Sequence, residues 1–227
     1  MATKELVTIK AIDEREAVIR VVGDTPLIVH KWDEKMKRAL PAGKRALGKG
    51  VADKEDYPTP MESFINSMYW ITPKPTEYTE KAFEKAIKKG ARFGFRVEAF
   101  KQAAIDAAYT KKWIPNKKGV KGLFFLVPDH VDEEGYQLVE IHSDPPVMRE
   151  DVVVLSGIGR APDLRWRGQF NNWYADLRIR YDVDGIYSLS DIINMIHAGG
   201  RYNGVGEYRV EKDGQYGSYS VAAGEFS

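Results

Sequence analysis

Glycines, basic residues and aromatic residues alternate near the C-terminus, between residues 199 and 219. Glycine lets a backbone turn tightly and lets another chain approach it closely, while Lys, Arg and Tyr supply positive charge and faces on which bases stack. The residues concerned are Gly204, Gly206, Gly214 and Gly217, with Arg201, Tyr202, Arg209 and Lys212 between or before them. This composition favours a loop that binds single-stranded nucleic acid. It also fits a β-hairpin whose glycines only form turns and whose tyrosines pack across the strands.

Three further stretches combine positive charge with a nearby aromatic residue. Lys and Arg neutralise phosphates and release counterions, and each unpaired base that stacks on an aromatic ring contributes ~1–3 kcal/mol. The candidate residues are Lys35, Lys37, Arg38, Lys44 and Arg45, then Trp113 among the lysines of 111–121, then Arg160, Arg165, Trp166 and Arg167. Each stretch alone is typical of a solvated surface. Four such stretches in a chain of net charge +1 indicate segregated charge and favour nucleic-acid binding.

A strand predicted over 173–181 alternates between two faces, with apolar residues on one of them. Tyr174, Arg178 and Arg180 share the other face. Arginine and tyrosine on an open strand face are typical of proteins that bind nucleic acid on a sheet surface. They are equally typical of any face exposed to water.

The remaining chemistry is limited. The four histidines (His30, His130, His142 and His197) lack the spacing of a metal site, and the chain has no cysteine, which excludes thiolate nucleophiles and cysteine-based zinc sites. Neither a G-x-S-x-G elbow nor a phosphate-binding loop with its lysine is present. We therefore expect no metal and no cofactor. His30 or His142 could act as the general base of metal-independent RNA cleavage, although a structural histidine is the commoner case.

Composition sets the wider bounds. The chain has 227 residues, of which 30% are charged, and its length suits one large domain over 1–227. No stretch approaches the ~20 apolar residues of a membrane span, and the first residues lack the apolar segment of a secretion signal. We expect a protein of the cytoplasm without a membrane partner.

The predicted elements place these candidates on a framework. Strands are expected over 17–22 and 27–29, 122–127, 136–141, 152–155 and 173–181, and helices over 61–70, 80–89 and 97–109. A last helix begins at Ser188, capped by Asp191, and ends at Gly199 and Gly200. The segments 90–95 and 157–169 are expected to be connector and loop, and 31–77 an inserted basic arm. Without insertions the order is β-α-β-β-α-β, an α+β fold of the ferredoxin-like type.

Three passages resemble a family of largely uncharacterised phage and prophage proteins. They are T-P-L-I-V-H-K-W (25–32), P-V-M-R-E-D-V (146–152) and the segment 204–217, which contains G-x-G-E-Y-R and ends in G-x-Y-G. The terminal helix and the glycine-rich loop are also similar to the RAMP superfamily, the RNA-binding backbone subunits of CRISPR complexes. Both resemblances imply nucleic-acid binding and transfer no catalytic residue.

These observations together predict a phage-type protein without enzymatic activity, in the cytoplasm of a bacterial host, that binds single-stranded nucleic acid. DNA is favoured over RNA because a phage needs replication and recombination functions, and the protein is expected to form a homo-oligomer or filament along the strand. Two alternatives stay open. One is a metal-independent endoribonuclease that uses His30 or His142, and the other is a structural assembly protein of the phage particle.

Overall fold

A computed structural model describes residues 11–31, 58–154 and 162–223. It combines helices with antiparallel sheets, so the fold is of the α+β class. The helices are α1 (Pro60–Asn66), α2 (Glu80–Lys88), α3 (Val97–Thr110) and α4 (Leu189–Tyr202). The strands are β1 (Glu14–Gly23), β2 (Leu27–Val29), β3 (Tyr69–Trp70), β4 (Phe93–Arg96), β5 (Phe124–Val127), β6 (His130–Val131), β7 (Gln137–Ile141), β8 (Val147–Val154), β9 (Pro162–Phe170), β10 (Tyr174–Asp182) and β11 (Tyr219–Val221).

The first sheet has the order β11–β1–β10–β5, and each neighbouring pair is antiparallel. Its strands alternate between a buried and an open face, as the sequence predicts for β10. The buried side chains include Ala17, Ile19, Val21, Phe124, Leu126, Ala175, Leu177, Ile179 and Tyr219. The open face carries Glu16, Val18, Arg20, Val22, Phe125, Tyr174, Asp176, Arg178 and Arg180. Charged and apolar residues therefore share the surface that faces away from the core.

Helices α3 and α4 pack on each other and on the buried side of this sheet. The predicted start of α4 is confirmed, because Ser188 and Asp191 form a reciprocal capping box. The predicted end is wrong, since the helix continues through both glycines to Tyr202. A Cβ on Gly199 would lie 2.7 Å from the backbone nitrogen of Ala104, and one on Gly200 would clash with the carbonyl oxygen of Tyr219. These glycines permit close packing rather than ending the helix.

Two smaller sheets complete the fold, with the orders β2–β9–β8 and β3–β4–β7–β6. Strand β9 occupies most of the segment expected to be a loop, and β4 lies in the expected connector 90–95. The sequence suggested a loop over 157–169, but Arg165 lies opposite Asp151 of β8 across the ladder, and Asp151 also pairs with Arg167 at 3.2 Å. Charged partners in a neighbouring strand thus make a charged segment compatible with a sheet.

The described part of the predicted arm is packed against the core. Thr59 caps α1, which places Phe64 and Ile65 in the core, and the helix ends at Asn66 rather than continuing to Trp70. Strand β3 follows and pairs with β4. The candidate residues Lys35, Lys37, Arg38, Lys44, Arg45 and Arg160 lie outside the described residues. Within the described ranges, no helix is both long and apolar enough to cross a membrane.

Candidate nucleic-acid interface

One surface of the molecule combines exposed aromatic rings with lysines, and we call it the lysine–aromatic surface. It is formed by α3, the connector 111–123, the end of α4 and the edge strand β5. Its members are Lys101, Tyr109, Lys111, Trp113, Lys117, Lys121, Phe125 and Tyr202. The contacts described below form three groups along α3 and the connector, which are Lys111 with Trp113 and Tyr202, Lys117 with Tyr109, and Lys101 with Lys121 and Phe125.

The rings of this surface are unusually accessible. Tyr109 is 48% exposed, Trp113 44%, Phe125 41% and Tyr202 47%. Every other Phe, Trp or Tyr side chain in the described ranges is buried or half-buried. Burial normally removes aromatic side chains from water, so four exposed rings on α3, the connector, β5 and the end of α4 indicate positions available for contact.

A cation lies over each of these rings. The Nζ of Lys111 is 5.0 Å from the ring centroid of Trp113 and 4.6 Å from that of Tyr202. The Nζ of Lys117 is 5.3 Å from the ring of Tyr109, and that of Lys101 is 4.4 Å from the ring of Phe125. Such contacts contribute about 0.5–1 kcal/mol at exposed sites, so a base that stacks for about 1–3 kcal/mol can displace them.

Most of the positive charge here is not neutralised. No Asp or Glu occurs between residues 107 and 127. Lys117 is the exception, because Asp106 lies 2.7 Å from its Nζ and their hydrogen bond raises the pKa of Lys117. Burial and the neighbouring charge of Lys121 lower the pKa of Lys101, whose Nζ donates a hydrogen bond to the carbonyl oxygen of Lys121 (2.7 Å). The exposed side chains Lys112, Lys118 and Arg201 have no carboxylate partner among the described residues.

Phe125 connects this surface to the open face of the first sheet. It lies opposite Arg180 in the β5–β10 ladder, and the guanidinium carbon of Arg180 is 5.3 Å from its ring. Arg180 also lies 3.8 Å from a carboxylate oxygen of Glu14. The next outward residue of β10, Arg178, is exposed and has no carboxylate partner in the described part of the chain. The predicted pair Arg178 and Arg180 is therefore continuous with the rings.

The open face of the first sheet ends in a groove at the third sheet, and we call it the inter-sheet groove. Its volume is about 310 Å³. Val18, Asp176 and Arg178 line it from the first sheet, and Arg92, Asp129, His130, Glu140 and His142 line it from the other side. Both carboxylate oxygens of Glu140 accept hydrogen bonds from Arg92, and these lower the pKa of Glu140. The ring of His142 stacks on Tyr174 at 4.6 Å.

The glycine-rich loop is anchored to the link between β1 and β2. Backbone nitrogens of Glu207 and Gly217 donate to the carbonyl oxygens of Ile28 and Pro26, each at 2.9 Å. Gly206 has a φ of +81°, and Gly204 and Gly217 also have positive φ values, which favour glycine. A Cβ on Gly214 would clash with the carbonyl oxygen of Tyr208. All four predicted glycines therefore have a structural role in tight packing.

The basic residues around this loop are paired with acids, and we call the second sheet with the glycine-rich loop the paired-arginine region. Arg209 lies 2.8 Å from Glu211, which Lys212 also approaches at 3.4 Å. Arg165 lies 3.0 Å from Asp163, and the indole nitrogen of Trp166 donates to Glu150 at 2.9 Å.

Arg167 is the most enclosed member of the paired-arginine region. It is 1% exposed, and its guanidinium lies 3.2 Å from Asp151 and 3.7 Å from Glu207. A buried arginine in such a pair is not available to a phosphate. Thus Trp113, Arg201 and Tyr202 lie at the ends of α3 and α4. The other described candidates lie in the paired-arginine region, and they are Arg165, Trp166, Arg167, Arg209 and Lys212.

A second groove, between α3 and the glycine-rich loop, has a volume of about 380 Å³. Four carboxylates and two arginines line it, which leaves an excess of two negative charges. These residues are Glu98, Asp106, Glu207 and Glu211, with Arg96 and Arg209. The glycines border this groove, and both of its arginines are paired with its own carboxylates, Arg96 with Glu98 (3.6 Å) and Arg209 with Glu211 (2.8 Å), so neither arginine is left for a phosphate.

His30 lies in that second groove at the end of β2. Its burial, followed by the charges of Arg167 and Arg165, lowers the pKa of His30 to about 4. The ring is therefore neutral at pH 7, and its Nδ1 has no hydrogen-bond partner in the described structure. His142 lies in the inter-sheet groove, so the two candidate bases occupy different grooves.

Several members of the lysine–aromatic surface were not singled out from the sequence. Tyr109 and Phe125 lie beside buried residues in apolar stretches, so their residue types alone do not mark them as exposed. The alternation of β5 contained the signal for Phe125, because Phe124 and Leu126 on either side of it are buried. No comparable signal identified Lys101, whose neighbour Lys121 is twenty residues away.

The chain matches no protein-family model and no curated protein. Among solved structures it is similar to one described as the crystal structure of Cmr6 from Pyrococcus furiosus, with 12% sequence identity over 93% of this chain and 100% of that chain. The TM-score is 0.36, and a similarity at this level carries no argument about function. The resemblance to phage and prophage proteins finds no support in these comparisons and stays a prediction.

Proposed function

We propose that the protein binds single-stranded nucleic acid on the lysine–aromatic surface. One observation carries the proposal: each of the four exposed rings of the described chain lies beside a lysine of α3 or of the connector 111–123, and of these lysines Lys101 and Lys111 have no carboxylate partner among the described residues. Single strands are bound by this combination of positive charge and stacking faces. A duplex, whose bases are already stacked and paired, offers such rings no face.

The geometry also suggests a path for the strand. The proposed path runs from Trp113 and Tyr202 along α3 to Lys101 and Phe125. Lys101 and Lys111 are ten positions apart, which corresponds to about 15 Å along the helix. It then continues to Arg180 and Arg178 on the open face of the sheet. A surface of this length has room for several nucleotides.

We infer further that the first sheet with α3 and α4 is a ferredoxin-like core. The chain order β1, α3, β5, β10, α4, β11 supports this, because it reproduces strand–helix–strand–strand–helix–strand once the other elements are set aside. The strand order β11–β1–β10–β5 in the antiparallel sheet also supports this, because it corresponds to the order 4-1-3-2 when the four core strands are numbered along the chain. In this arrangement the second and third sheets are insertions, and the open face of the core is accessible to a ligand.

The test is fluorescence anisotropy of a labelled oligothymidylate with the wild type and with Trp113→Ala and Tyr202→Ala variants. Loss of one stacking ring should weaken binding by about 5- to 140-fold, the equivalent of ~1–3 kcal/mol. Tyr78→Ala is the matched control, because Tyr78 also has a lysine, Lys74, near its ring (5.9 Å) but lies outside the surface. Binding that is unchanged in both ring variants would contradict the proposal.

The preference for DNA over RNA stays a prediction, because stacking faces do not distinguish the two sugars. Competition between DNA and RNA oligonucleotides of the same sequence measures it. Assembly of several copies along one strand also stays a prediction. Light scattering after size-exclusion chromatography, with and without oligonucleotides of increasing length, would show whether the number of bound copies grows with the strand.

A further inference from the structure

We infer that the inter-sheet groove is a phosphate subsite in which Arg178 and His142 bind one phosphate of the strand. The inference rests on the proposed function, because the groove continues the same surface through Phe125, Arg180 and Arg178. It adds a second contact region, at the far end of β10 from Phe125. It also assigns a role to His142 that involves binding and no cleavage.

The carboxylates of the groove are already satisfied. Asp176 accepts two hydrogen bonds from Arg20, each at 2.8 Å, and Arg92 binds both oxygens of Glu140. Asp129 accepts a hydrogen bond from the backbone nitrogen of Glu140 at 3.2 Å. These acids are therefore engaged as acceptors within the protein and offer little to a ligand that donates hydrogen bonds.

The groups left to a ligand are donors. In the part of the chain that the structure describes, no hydrogen bond or ion pair engages the guanidinium of Arg178 or the imidazole of His142. Guanidinium binds phosphate oxygens through paired N–H groups, and the imidazole can donate one more hydrogen bond. A free arginine and a free histidine in one groove of about 310 Å³ thus favour an anion.

The surroundings hold the imidazole of His142 in one orientation. Its ring is nearly parallel to that of Tyr174, with an interplanar angle of 14°, and its backbone exchanges two hydrogen bonds with Tyr174 (2.8 and 3.0 Å). Arg20 lies 4.3 Å from the same tyrosine ring. A ring fixed in this way loses little freedom when it binds a ligand.

The lining of the groove carries three carboxylates, Asp129, Glu140 and Asp176, and two guanidinium groups, Arg92 and Arg178. Glu140 is paired with Arg92, and Asp176 is paired with Arg20. Arg178 is therefore the guanidinium of the lining that has no carboxylate partner among the described residues.

The experiment measures oligothymidylate binding by anisotropy across a salt series, for the wild type, R178Q, R178K and H142N. We expect R178Q to reduce the slope of log affinity against log salt by about one, while R178K, which keeps the charge, retains it. H142N should weaken binding by about 2- to 12-fold, the loss of one hydrogen bond, because Asn has no donor at the position of the ring Nε2. H197N is the matched control, because His197 is exposed on α4 outside the groove.

The possible outcomes separate the two proposals. If Trp113→Ala weakens binding but R178Q keeps the wild-type salt slope and H142N keeps the wild-type affinity, the groove is not a subsite and the proposed function stands. If R178Q and H142N act as expected but the ring variants bind normally, the groove binds phosphate and the lysine–aromatic surface does not bind the strand. A wild type that binds no oligonucleotide overturns both. Thermal unfolding of each variant confirms that it is folded.

Discussion

The lysine–aromatic surface and the paired-arginine region both contain the basic and aromatic residues that suggested nucleic-acid binding, but they differ in where the positive charge is compensated. In the paired-arginine region, Arg165, Arg167 and Arg209 each lie within 3.2 Å of a carboxylate. On the lysine–aromatic surface, Lys117 is the one lysine with a carboxylate this close among the residues that the structure describes. The comparison teaches that a basic stretch indicates a ligand only where the protein does not supply the counter-charge itself.

The largest expected effect concerns the buried pair of the paired-arginine region. Asp151→Ala should cost about 3–5 kcal/mol in the free energy of unfolding, because it leaves Arg167 buried without its nearest carboxylate. Asp176→Ala breaks an exposed pair with Arg20 and should cost less than about 1 kcal/mol. Urea denaturation of both variants measures the difference. Equal losses would show that the two regions do not differ in this way.

His30 gives the second effect, which depends on pH. Its pKa is about 4 in the folded protein and ~6.5 when unfolded, so the unfolded state takes up the proton first as pH falls. Stability should therefore decrease between pH 6.5 and 4, by on the order of 3 kcal/mol in total. Urea denaturation across this range should show a smaller decrease for His30→Gln. His142→Gln is the control, and a profile unchanged by His30→Gln would refute the assignment.

Glycine substitutions should distinguish the same two regions. Gly206→Ala places a Cβ 2.5 Å from the carbonyl oxygen of Ile28 at a φ of +81°, and should destabilise the protein by about 1–3 kcal/mol. A Cβ on Gly122, in the connector before β5, meets no atom within 4 Å. Gly122→Ala should change the melting temperature little. A similar loss in both variants would mean that the glycine-rich loop is no more tightly packed than the connector.

The smallest expected effect is on the salt dependence of oligonucleotide binding, which should differ between a lysine of each region. Lys111→Gln should reduce the dependence of oligonucleotide affinity on salt by about one counterion. Lys212→Gln should leave it nearly unchanged, because Glu211 already lies 3.4 Å from Lys212. Anisotropy titrations between 50 and 200 mM salt, about the range over which such contacts are resolved, measure both slopes. A steeper loss for Lys212→Gln would reverse the comparison.

Local patterns were sufficient for several elements. The capping box at Ser188 and the alternation of β10 are confirmed, because each depends on contacts within a few residues. The end of α4 and the existence of β9 were not predictable in this way. The role of Gly199 depends on the close packing of α3, and the charge of Arg167 is compensated only by Asp151 of β8 and Glu207 of the glycine-rich loop.

The sequence by itself determined the α+β class, most of the helices and strands, and the presence of basic and aromatic residues in excess along certain stretches. Only the tertiary structure decided which of those cations have a carboxylate partner and which aromatic rings remain in water. The physical reason is that hydrophobic periodicity acts between near neighbours, whereas ion pairing and burial depend on residues far apart in the chain. Lys101 and Lys121, or Arg167 and Glu207, meet only when the sheets and helices have packed.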